Sequence, residues 1–195
     1  MTINTATEKV IQSPWFSGVP SSETQRFLAL TKLVQLKKGD RFIEARETPK
    51  IFGFVTKGLF RFLYTDQEGK EYTKVFMPEH SFVSAYSAMV LNQASYFSIE
   101  ALEDSEVLTI SYASWLRLKE SHPCWNELLI KVLEKAFIMK EAREREFLFL
   151  DAESRYQIFL ERFPNLEHRL KQHMIASYLG IAPESLSRVR KKEQS

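Results

Sequence analysis

The segment Gln172-His-Met-Ile-Ala-Ser-Tyr-Leu-Gly-Ile-Ala-Pro-Glu-Ser-Leu-Ser-Arg-Val-Arg-Lys-Lys192 decides how the rest of the chain is read. It spells two short helices joined by a tight turn. Ala176 is small where the first helix must approach the second. Gly180 supplies the left-handed backbone such a turn needs. Pro183 falls at the start of a helix, where a missing N–H costs nothing. Leu186 and Val189, three apart, form a face that packs on Ile175 and Leu179. Glu184, Ser185, Arg188 and Lys192 occupy the opposite face. Ala182 stands where Ser, Thr or Asp would cap the helix, a loss of about 1 kcal/mol. A two-helix unit with this spacing sets its second helix in the major groove of DNA.

Charge points the same way. The 195 residues carry a net charge of +2, and residues 151–195, with eight basic and six acidic side chains, account for all of it. Half of those eight cations fall within Arg188–Lys192. A solvated helix end would also accept cations, but joined to the two-helix spacing, phosphate contact explains the cluster better.

With 44% hydrophobic residues the chain can bury a sizeable core. The single cysteine, Cys124, excludes a disulfide framework within one chain and any cluster or zinc site built from several cysteines. Met1–Ser13 lacks a signal-peptide apolar core, and no apolar run reaches membrane-spanning length. A soluble cytoplasmic protein without a membrane partner is the expectation.

Upstream, three textures follow one another. From about Val34 to Ile110 short apolar or alternating runs are broken by turns. Ile51–Val55, Leu59–Tyr64, Tyr72–Phe76, Phe97–Ala101 and Glu106–Ile110 read as strands, and Asp66-Gln-Glu-Gly69 as a hairpin turn. Together they predict an antiparallel roll or barrel in an α+β protein. Pro123–Leu150 reads as one long helix, with a heptad-like apolar seam of Trp125, Leu129, Val132, Ala136 and Met139. Leu128, Leu133 and Phe137 add apolar surface on other sides. One face would cover the roll while another meets a second copy of the chain. Asp151 can cap a new helix, which Phe163-Pro164-Asn165 ends. The expected division is 1–122 for the roll with flanking helices, 123–150 for the dimerisation helix, and 151–195 for the two-helix domain. With the sequence stopping three residues past Lys192, no β-wing is expected.

The order roll, long helix, hinge, helix-turn-helix resembles the Crp/Fnr family of transcription regulators, including its short-tailed subtype. Lys38-Gly39-Asp40, Lys57-Gly58, Asp66–Glu71, Ile110-Ser-Tyr112, Phe149-Leu-Asp151 with Arg155, and Ile175–Arg188 carry the likeness. The resemblance implies a cyclic-nucleotide-binding-like sensory domain, a homodimer and a double-stranded DNA partner. Glu184, Ser185 and Arg188 would face base edges, and Arg190, Lys191 and Lys192, with Lys171 beside them, would contact phosphates.

The ligand contacts of cyclic-nucleotide binders are missing. Where such domains carry Gly-Glu, this chain has Ser84-Ala85; where they carry Arg-Ser, it has Ser95-Tyr96. Lys140 and Glu141 stand where small hydroxyl residues would meet the base. Losing the arginine–phosphate contact removes a few kcal/mol, so cyclic AMP is not the expected effector. Phe82, Ser84, Ala85, Tyr86, Ser95, Tyr96, Phe97 and Lys140 would line an aromatic, weakly polar pocket, with Phe76 near it. Such a pocket suits an unidentified apolar effector, or its rings simply fill the roll. No cofactor or metal is expected: His80, His122, His168 and His173 are scattered, and no strand carries His-x-His. Neither a G-x-S-x-G elbow nor a P-loop is present, so an enzyme is not expected. The competing reading is a ligand-binding or protein-interaction module whose helix-turn-helix is vestigial.

Overall fold

The computed structural model describes residues 3–193, so the expected domain limits at residues 1 and 195 lie outside the described residues. Two helices, α1 (Ile3–Ile11) and α2 (Ser21–Ala29), precede eight strands. These are β1 (Lys32–Leu36), β2 (Arg41–Ile43), β3 (Ile51–Lys57), β4 (Phe60–Thr65), β5 (Glu71–Met77), β6 (Phe82–Val83), β7 (Ser98–Ala101) and β8 (Ser105–Ser111). The short helix α3 (Tyr86–Val90) lies between β6 and β7. The helices α4 (Tyr112–Ser121), α5 (Cys124–Phe149), α6 (Ala152–Arg162), α7 (Gln172–Leu179) and α8 (Pro183–Glu193) complete the chain.

The strands form two four-stranded sheets, ordered β1-β8-β3-β6 and β2-β7-β4-β5. The pairings β1–β8, β2–β7, β3–β6, β3–β8 and β4–β7 are antiparallel and join strands that are not consecutive in the chain. Gly58, between β3 and β4, sits at φ +101° with its Cα against Ser105, so a side chain there would be strained and would overlap its neighbour. At the next turn Asp66 takes the place of backbone partners. One of its carboxylate oxygens accepts from the N–H groups of Glu68 and Lys70 at 3.0 and 2.9 Å.

By their contacts the residues fall into two units: the chain up to Tyr64 with Phe76–Glu134, and Thr65–Val75 with the chain from Lys135 on. In the first, Phe52, Phe54, Leu108 and Ile110 from one sheet meet Val10, Phe27, Trp115, Leu118, Trp125 and Leu128 from the helices in one aromatic-rich core. Trp125 is fully buried, its ring stacked on Phe27 at 5.5 Å.

That packing turns part of the expected dimer seam toward the core. Leu129 and Val132 are half-buried against the same core as Trp125. Ala136 is exposed and Met139 half-buried. Apolar side chains that α5 leaves in water include Ile130 (54% exposed), Leu133 (41%), Phe137 (66%) and Ile138 (63%), with Phe147, Leu148 and Phe149 at its end.

Candidate nucleic-acid interface

The second unit builds its own core around α6, α7 and α8. Asp151 caps α6 through the Ser154 N–H at 2.8 Å, and that bond lowers the pKa of its carboxyl. The helix ends at Phe163, and Asn165 takes the left-handed conformation two residues on. From α6, Tyr156 and Phe159 stack, and Phe159 and Phe163 each meet Tyr178 of α7 at 5.7 Å.

Between α7 and α8 the chain turns at Gly180, with φ +66°. The Ile181 N–H then reaches back to Ala176 O at 3.0 Å, closing the helix end. Ile175, Ala176, Leu179, Leu186 and Val189 are all buried. Each of the four aliphatic side chains contributes about 1.5–3 kcal/mol on removal from water.

The start of α8 is supported in a way the sequence did not show. Ala182 offers no capping oxygen, but Gln172 Nε2 donates to Pro183 O at 3.0 Å and to Ser187 Oγ at 2.7 Å. Arg143 on α5 acts on the other end of α7. Its guanidinium lies 3.7 Å over the Tyr178 ring and donates to Tyr178 O at 2.6 Å. Burial pulls its pKa down from the usual arginine value. Arg162 pairs with the buried carboxylate of Glu146 and donates to the Tyr178 hydroxyl at 2.9 Å. Nothing in the spacing of these residues marks them, because each contact joins elements far apart in sequence.

Of the expected DNA contacts, Glu184 and Arg188 are exposed and Ser185 is half-buried. Arg188 Nη2 donates to Ser185 Oγ at 3.2 Å, which orients the guanidinium along the outer face of α8. Lys191 is exposed, as is Lys171 at the start of α7. Lys192 meets Glu153 at 3.1 Å with both side chains largely in water, a pair worth at most about 1 kcal/mol that a phosphate can replace. Arg190 needs correction. It pairs with Glu167 at 2.6 Å, and its Nε donates to the Tyr156 hydroxyl at 3.2 Å. Burial first, and then the Glu167 acceptor, push that hydroxyl up to about 12. Arg190 thus holds α8 to α6 and to Glu167, in the segment between α6 and α7, rather than reaching outward.

The eight residues expected to line an effector pocket do not converge. Phe82 and Tyr86 pack into the helix-covered core, where Phe82 meets Trp15, Phe16 and Phe54. Ser84 is half-buried, 3.4 Å from Ile51 O, and Ala85 is fully buried ahead of α3. Ser95 is buried and spends its hydroxyl on the Phe97 backbone at 2.7 Å. Phe97 stacks on Phe62 at 5.4 Å, as rings filling the roll do. Tyr96 is 83% exposed, and Lys140, in the other unit, is exposed on α5. Phe76 is buried. The buried Arg61 on β4 offers no substitute for the missing phosphate-binding arginine, since Glu100, directly opposite on β7, already neutralises it at 2.6 Å. Among the described residues no cluster of three His, Cys, Asp or Glu could hold a metal ion, and no helix is long and apolar enough to cross a membrane.

Residues 33–122 match the cyclic nucleotide-binding domain. Solved structures of Crp/Fnr-type regulators share the fold. The catabolite activator protein of Thermus thermophilus is 20% identical with a TM-score of 0.61, covering 92% of this chain and 86% of that one. The c-di-GMP-responsive global regulator CLP of Xanthomonas campestris is 17% identical with a TM-score of 0.73, covering 90% and 92%. FixK2 of Bradyrhizobium japonicum is 15% identical with a TM-score of 0.73, covering 83% of each chain. No curated protein sequence matches the chain significantly.

Proposed function

We propose that the protein is a dimeric, Crp/Fnr-like transcription regulator whose α7–α8 pair is a helix-turn-helix reading duplex DNA, and whose roll does not respond to cyclic AMP. One observation carries the reading: a helix pair turned at Gly180 keeps its apolar face buried and presents Glu184, Ser185 and Arg188 together on the outer face of α8. Arg188 suits the O6 and N7 edge of guanine, and Glu184 suits the amino group of cytosine. Lys191, Lys192 and Lys171 supply charge for phosphates.

Dimerisation is assigned to the exposed stripe Ile130–Leu133–Phe137, whose three- and four-residue steps repeat a coiled-coil seam. Insensitivity to cyclic AMP rests on Ser84-Ala85 and Ser95-Tyr96. None of the four can neutralise a phosphate, and Ser95 is committed to Phe97. Gel shift of the full chain on its own promoter region, against a random duplex, tests the DNA assignment; calorimetric titration with cyclic AMP should show no binding heat. The competing reading, an interaction module with a vestigial helix-turn-helix, draws support from Arg190, whose internal pairing removes one phosphate contact. Equal retention of promoter and random duplex would favour it.

A further inference from the structure

The hairpin segment Thr65–Val75 groups by its contacts with the helical unit, and a side-chain hydrogen bond is part of the join. Thr73 on β5 donates its N–H to Ser177 Oγ of α7 at 2.8 Å, across 104 residues of sequence. The same oxygen lies 3.5 Å from Glu71 O. β5 ends its sheet order, so its outer backbone groups have no neighbouring strand. Thr73 is only 4% exposed, so a lost partner there would not be replaced freely by water. Ser177 supplies the missing rung.

We propose that Ser177 is a positioning residue, whose hydroxyl pins α7 to the hairpin and makes the hairpin a buttress of the DNA-reading unit. The inference rests on the function proposed above. Serine is a weaker helix former than alanine inside α7, so its place there calls for a bond that alanine lacks. Its neighbours Ala176, Tyr178 and Leu179 are buried, which leaves the hydroxyl little freedom to wander. Tyr178 is held by Arg143 and Arg162, so α7 is gripped on that side already, and the Ser177 rung grips it on the other. The Gly180 turn then carries this placement into α8 and its Glu184 and Arg188. The hairpin is not itself a phosphate-gripping element, because Asp66, Glu68 and Glu71 outnumber Lys70 and Lys74.

Ser177→Ala removes the oxygen and Ser177→Thr keeps it. In the free full-length protein, amide exchange at Thr73 should be about tenfold faster in Ser177→Ala and close to wild type in Ser177→Thr. Affinity for the promoter duplex should fall about three- to tenfold in Ser177→Ala and return in Ser177→Thr. The dependence of binding on salt should not change, since no phosphate contact is removed. Unchanged Thr73 protection, or unchanged DNA affinity, in Ser177→Ala overturns the proposal. If wild-type protein binds no duplex, the DNA-reading function fails, and Thr73 exchange alone decides whether the rung holds the hairpin.

Discussion

Replacing Gly180 by alanine tests the turn on which the two-helix reading depends. Two costs add. At φ +66° a Cβ brings about 1 kcal/mol of backbone strain. The new Cβ would also lie 2.6 Å from Phe147 Cε1, so the ring must move. That ring is flanked by Arg143 at 4.9 Å and Arg155 at 5.0 Å but is 42% exposed, which places the overpacking cost near the low end, about 1–2 kcal/mol. The sum is about 2–3 kcal/mol. In a Phe147→Ala background the clash is gone and only the strain of about 1 kcal/mol should remain. The double-mutant cycle should therefore show about 1–2 kcal/mol of coupling. Tryptophan fluorescence is the wrong probe, because Trp15, Trp115 and Trp125 all lie in the other unit. Amide exchange at Ile175 and Leu179 reports α7 directly, and should accelerate about 30- to 150-fold in Gly180→Ala. Equal effects with and without the Phe147 ring would refute the packing argument, and no effect at all would refute the turn.

Further outcomes are expected elsewhere. Arg188→Ala should lower preference for the specific duplex, whereas Lys191→Ala should weaken all duplexes alike and flatten the salt dependence by about one unit of slope; binding isotherms at several salt concentrations separate the two. Arg190→Ala should loosen α8 on α6, seen as faster exchange of α8 amides, with the salt slope unchanged. Phe137→Glu should convert dimer to monomer in sedimentation velocity, while Leu129→Glu should instead destabilise the core it packs against. The Asp151 carboxyl has a lowered pKa in the folded state, so its cap stabilises at neutral pH and is lost as pH falls through and below the usual carboxylate range. The stability gap between wild type and Asp151→Ala, read from urea melts at successive pH values, should accordingly close in acid.

Local signals were legible because a few adjacent residues determine them. Gly180, Asp151, Asn165 and the Asp66 turn each impose a backbone conformation or supply their own hydrogen-bond acceptor. The long helix α5 was legible in extent but not in orientation. It is apolar on more than one side, so spacing alone did not distinguish the core-packed Trp125–Leu129–Val132 face from the exposed Ile130–Leu133–Phe137 face. The cationic run at 188–192 was equally ambiguous. Four cations fall within five residues, yet Arg190 turns inward to Glu167 and Arg188 does not. The supposed pocket failed for a related reason. Ser95, Tyr96 and Phe97 lie in the loop ahead of β7, where Ser95 and Phe97 are buried and Tyr96 turns out to solvent. The bonds from Ser177 and Gln172 depend on partners brought close only by the fold.

Selection of bound sequences from a random duplex library with the full-length chain tests the central claim most directly. A dimeric reader should enrich a two-fold symmetric sequence with half-sites one helical turn apart, about 10–10.5 base pairs or a multiple of it, and Arg188→Ala should lose that enrichment. A pool that stays random for both proteins would contradict the account.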